Sequence, residues 1–136
     1  MSASILYRIS SVLLVLFAIG HTVGFFQVDP RWSADAVVSG MRSVRFEVQG
    51  FNRSYWDFFI GFGLFVTVLL LFAAILAWRF GSISPERLAA IPIERWSFAI
   101  CFVLIAGLTW RYFFLAPGIF STLVALGLLG AAWLGA

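Results

Sequence analysis

The chain has 136 residues, of which 62% are hydrophobic and 11% charged, with a net charge of +3. A water-soluble domain of that length cannot hide so much apolar surface, so the solvent for most of this chain is lipid, and one domain is expected. The basic residues are all Arg and lie scattered rather than striped, which excludes a nucleic-acid partner, and the single cysteine, Cys101, excludes an internal disulfide.

A helix needs about 20 apolar residues to cross a bilayer core. The first qualifying stretch covers about 5–26. Its start looks like a signal peptide, but no A-x-A-like site follows and the apolar run continues through Gly24 and Phe25, so it reads as a retained membrane helix. The link 27–55 is too long for a passive connector. Within it, "DPRWS" reads as a turn with Ser33 as a helix N-cap. Val37, Met41, Val44 and Val48 then recur at helical spacing with Val38 beside them, Arg42, Arg45 and Gln49 lie on one flank, and Glu47 projects to another. A short amphipathic helix is expected there, lying on the membrane or folded back as a cap, and ended by Gly50.

The second span covers about 56–78. "RFGSISPERLAAIPIER" reads as an ordinary polar loop, and the third span covers about 96–115. At "APG" (Ala116–Gly118), Pro117 is expected to end one helix and open the next, giving a tight hairpin to the fourth span, about 117–134. The expected fold is an all-α membrane protein: a four-helix transmembrane bundle with a short amphipathic helix in the long first loop.

Four spans place both termini on one side, with Arg8, Arg79, Arg87 and Arg95. Arg31, Arg42, Arg45, Arg53 and Arg111 lie opposite. Arg79 and Arg95 abut helix ends, and short flanks count most in the positive-inside rule, so both termini are expected in the cytoplasm.

Depth concentrates the polarity at the other face. At 1.5 Å per residue, His21 lies roughly 24 Å along the first span and Arg111 roughly 22 Å along the third, and both reach the same membrane end. Asp57 opens the second span there, beside Glu47, Gln49, Asn52, Arg53 and Tyr55 of the first link. Charge in hydrocarbon costs about 2.5–3.5 kcal/mol, so Asp57 and Arg111 are expected to pair. Gly20 and Gly24 flank His21, while Gly61 and Gly107 lie one turn below Asp57 and Arg111; they read as close helix approaches or as the walls of a pocket.

On the functional reading, Arg111, with Arg42 and Arg45, holds an anionic or carbonyl head group, and Asn52, Tyr55, Trp56, Trp110 and Tyr112 complete the binding site. His21, Asp57 and Glu47 are the candidates for acid–base catalysis. Structural readings stand beside each. Asp57 suits a helix start by dipole alone, the Asp57–Arg111 pair suits a clasp, and His21 suits a hydrogen-bonded helix end. "SYWDFF" and "TWRYFF" suit interfacial aromatic belts. No cofactor and no metal site is expected: one His cannot supply bis-His haem ligation within a monomer, no H-x-E or C-x-x-C spacing supports zinc, and Walker, GxGxxG and GxSxG patterns are missing.

"GHTVGFF", "DPRW", "VQGFNRSYWDFFIGFGLF" and "WRYFF" together resemble an uncharacterised family of small bacterial four-helix inner-membrane proteins. The resemblance implies a bacterial inner-membrane location and four spans, and it transfers no site. The glycine–histidine end of the first span is faintly similar to DoxX-type membrane proteins. The leading expectation is binding of a membrane lipid or other lipophilic or amphiphilic small molecule. The alternatives are a non-catalytic accessory or scaffold subunit, in a homo-oligomer or larger membrane complex, and a small transporter, which the lack of ionisable groups at mid-membrane disfavours.

Overall fold

The computed structural model describes residues 2–135. In chain order it contains α1 (Ala3–Phe25), a 3-10 turn (Pro30–Trp32), α2 (Asp35–Ser43), β1 (Arg45–Val48), β2 (Phe51–Ser54), α3 (Tyr55–Phe80), α4 (Pro85–Ala89), α5 (Pro92–Tyr112) and α6 (Leu115–Leu134). The fold is all-α apart from the one hairpin. Helices α1, α3, α5 and α6 are long and apolar enough to cross a membrane. The chain divides into two compact units, Met1–Phe17 with Leu70–Ala136, and Ala18–Leu69, the divisions falling within α1 and α3.

The first unit holds nearly all of the core. Tyr7, Leu14 and Phe17 of α1 are buried, as are Leu70, Ala73, Ala74 and Ala77 of α3, Ala99 and Phe102 of α5, and Val124, Ala125, Leu128, Ala131 and Ala132 of α6. The many alanines let helix backbones approach closely, which is how packing is gained where lipid is as apolar as the core. Hydroxyls join the helices: Ser11 donates to the Ala74 carbonyl at 2.8 Å and Ser4 to that of Gly81. Ile5, Ile9, Val12 and Leu16 form an exposed α1 stripe suited to lipid.

Helices α5 and α6 form the expected hairpin, but its turn lies elsewhere. Phe113 and Phe114 are extended, and α6 begins at Leu115. Pro117 therefore sits in the first turn of α6, where a missing N–H costs nothing, rather than between the helices. The Thr109 and Ser121 hydroxyls meet at 2.6 Å, and the Trp110 indole donates to Thr122 at 2.9 Å. The second link is not a plain loop. Pro85 starts α4, whose Leu88 is buried, and α5 starts at Pro92, four residues before the expected boundary.

In the second unit the amphipathic helix is present but stops at Ser43, short of Gly50. The residues that follow form an antiparallel hairpin, with Arg45 opposite Ser54, Phe46 opposite Arg53, Glu47 opposite Asn52 and Val48 opposite Phe51. Its two-residue loop, Gln49–Gly50, has both φ angles positive, at 52° and 83°. That geometry matches the twist of paired strands, and Gly50 adopts it without steric cost. The expected helix through Val48 fails because Val44, Phe46 and Val48 fit a two-residue alternation as well as a helical one, and the tight turn decides between them. Ser33 is likewise not a helix N-cap: it closes the 3-10 turn at φ 51°, and Ala34 precedes α2.

Candidate functional site

His21 lies near the C-terminal end of α1, half-buried. Its Nε2 lies 3.0 Å from the Gly63 carbonyl oxygen of α3. A carbonyl only accepts, so Nε2 carries a proton. The imidazole stacks on Phe25 at 5.3 Å. Thr22, the next residue, meets the Thr67 hydroxyl at 2.8 Å, and Thr67 also donates to the Gly63 carbonyl. These bonds clasp the α1 and α3 segments of the second unit.

Asp57 is engaged in a reciprocal cap. The Ser54 backbone N–H donates to Asp57 Oδ2 at 2.8 Å, the Ser54 hydroxyl donates to the same oxygen at 3.0 Å, and the Asp57 N–H donates to the Ser54 hydroxyl at 3.2 Å. Two otherwise unpartnered N–H groups at the start of α3 are thereby satisfied. Arg45 and Arg53 of the hairpin lie near the same carboxylate. The Arg45 guanidinium is hydrogen-bonded to the Asn52 side chain, and Arg53 Nη1 donates to the Asn52 carbonyl at 3.0 Å. Glu47 is exposed opposite Asn52. Tyr55 packs on Phe46 at 5.0 Å.

Arg111, Trp110 and Tyr112 belong to the first unit. Arg111 is exposed in the last turn of α5, its guanidinium 5.5 Å from the Tyr112 ring centre, while Trp110 is bonded to Thr122. The expected Asp57–Arg111 pair thus concerns residues of different units. The expected glycine contacts also change. Nothing lies within 4 Å of where a Cβ would stand on Gly20, Gly24, Gly61 or Gly107, whereas one on Gly63 would meet the Phe25 ring at 2.7 Å. Within the second unit, Gly63 is the close approach.

Arg42 is the sequence-derived ligand residue best placed in a concavity. Its guanidinium stacks over the Trp56 ring at 4.2 Å, a cation–π contact. It lines a groove of about 430 Å³ with Val28, Asp35, Val38, Ser39 and Ser43. A smaller cleft of about 190 Å³ lies beneath the hairpin tip, among Val48, Gln49, Phe51, Arg53 and Phe58. Residues 35, 38, 39, 42 and 43 fall at the i, i+3, i+4, i+7, i+8 spacing of one helix face. Sequence reading missed Asp35, Ser39 and Ser43 because Val37 and Met41 drew the helix face to the opposite side. Their spacing was nonetheless there to be counted. Val28 comes from the preceding turn and carried no signal.

A second buried polar feature belongs to the first unit. Arg95 is 2% exposed, and its Nη1 donates to the Ala132 carbonyl at 3.1 Å, in the last turn of α6. A cation there complements both the unpaired carbonyls and the negative end of the helix dipole. The sequence suggested only a flanking charge. Compared with family models, curated proteins and solved structures, the chain matches none.

Proposed function

We propose that this is a small multi-pass protein of a bacterial inner membrane, with both termini in the cytoplasm, that binds a lipophilic or amphiphilic molecule by its head group. The binding site is the groove along α2. The observation that carries the reading is the combination of one guanidinium, one carboxylate, two hydroxyls and two valines on a single concave surface, in the link between two membrane-length helices. A guanidinium seated on an aromatic ring is held ready for an anionic or carbonyl oxygen without losing much side-chain freedom on binding. Val28 and Val38 offer apolar surface to the part of the ligand next to its head group. The acid–base extension of this reading rests on His21, whose Nδ1 has no protein partner among the described residues.

Purified protein in mild detergent, examined by native mass spectrometry, is expected to retain an amphiphile that Arg42→Gln loses and Arg42→Lys partly keeps. Equal retention by wild type and Arg42→Gln would refute the groove as the site. The alternative, a scaffold subunit, draws support from His21 and Asp57 both being committed to bonds that hold helix segments. It predicts co-purifying protein subunits and no retained amphiphile.

A further inference from the structure

The groove contains charges of both signs, and they do not neutralise each other. Asp35 stands in the first turn of α2 and Arg42 in its last, on one face, with Ser39 between them and Ser43 beside Arg42. The two charges are seven positions apart, about 10 Å along the helix axis. Both side chains are exposed, and among the described residues the one ion pair is Arg31 with Asp29. A purely anionic head group seated here would gain Arg42 but face the Asp35 carboxylate. A purely cationic one would face Arg42. A head group with a phosphate and an ammonium meets both charges favourably.

We infer that the groove selects a zwitterionic phospholipid head group of the phosphoethanolamine type, its phosphate on Arg42, Ser39 and Ser43 and its ammonium toward Asp35. This rests on the binding reading above and specifies its ligand. A lipid is favoured over a free phosphoamine because the groove lies in the link between two helices long and apolar enough to cross a membrane, and Trp32, in the turn just before α2, is 62% exposed. An exposed indole in such a link suits the membrane–water boundary, which places lipid head groups within reach of the groove.

The test reads lipid retention in nanodiscs made of equal parts phosphatidylethanolamine and phosphatidylglycerol, with native mass spectrometry of the ejected protein. Wild type is expected to keep phosphatidylethanolamine in roughly threefold preference, the scale set by one exposed ion pair. Asp35→Asn removes the ammonium partner and is expected to bring that preference to parity or turn it toward phosphatidylglycerol. Arg42→Gln is expected to lose both lipids. Neutral replacements are used because reversing either charge would also oppose the helix dipole. Retention of both lipids without preference, or a preference that Asp35→Asn leaves unchanged, overturns the inference while leaving amphiphile binding intact. Retention of neither lipid by wild type overturns both. Displacement of bound lipid by soluble glycerophosphoethanolamine as readily as by the intact lipid would make the ligand a free head group and overturn the membrane assignment.

Discussion

Two acidic side chains show how local bonding fixes a residue's role. At the start of α3, Ser54 and Asp57 exchange bonds in both directions, so each should lose value when the other is gone. Removing an N-cap hydroxyl costs about 0.5–2 kcal/mol. In detergent unfolding titrations, Ser54→Ala and Asp57→Ala are each expected to lose about 1 kcal/mol, and the double variant less than the sum. A stronger coupling of Asp57 to Arg111 than to Ser54 would restore the ion-pair role that the sequence suggested. Asp29 behaves differently with pH. Side-chain and backbone hydrogen bonds from Arg31 hold its carboxyl below the ordinary value of 3.8. A depressed folded-state pKa means that the contribution is complete above the unfolded value and disappears as pH falls through the folded one. Hydrogen exchange at the Arg31–Ser33 amides, corrected for intrinsic rates, is therefore expected to hold steady from pH 8 to 5 and quicken well below 4. A loss of protection between pH 6 and 7 would contradict this.

Among the elements, the α1–α3 clasp of the second unit depends on one close approach. A Cβ on Gly63 would press into the Phe25 ring, which is itself stacked on His21 and on Phe26 at 4.3 Å. Displacing that ring disturbs both stacks. Gly63→Ala is expected to lower stability by about 1–3 kcal/mol, the usual scale for overpacking. Gly61→Ala, on the same helix with open space around it, is expected to be neutral or to gain up to about 1 kcal/mol from helix propensity. Equal losses in the two variants would mean that glycine flexibility, not packing against Phe25, matters there. The hairpin between α2 and α3 follows another logic. It replaces the last turn of an expected helix, and what ends α2 is the pairing of Arg45–Val48 with Phe51–Ser54 rather than any cap at Gly50.

For the whole molecule, the four membrane-length helices were legible because twenty apolar residues in a row admit few other structures, and α1 and α3 depart from expectation by at most two residues at each end. The hairpin was not, because four residues per strand cannot separate a two-residue from a 3.6-residue period. Of the candidate site, Arg42 could be named from sequence, and the Ser54-x-x-Asp57 cap was spelled out but weighed only as a dipole effect. The groove needed Val28 from a separate turn, which is a tertiary fact. The proposed membrane orientation rests on the flanking arginines of these helices, and it can be measured directly. In a Cys101→Ser background, Ala36→Cys in α2 and Ala90→Cys after α4 place single exposed thiols in the first and second links. With both termini cytoplasmic, a membrane-impermeant maleimide should label the first in intact spheroplasts and the second only after permeabilisation. The reverse pattern would invert the orientation and put the α2 groove in the cytoplasm. Labelling of both from one side would contradict a membrane crossing by α3, because that helix alone separates the two links.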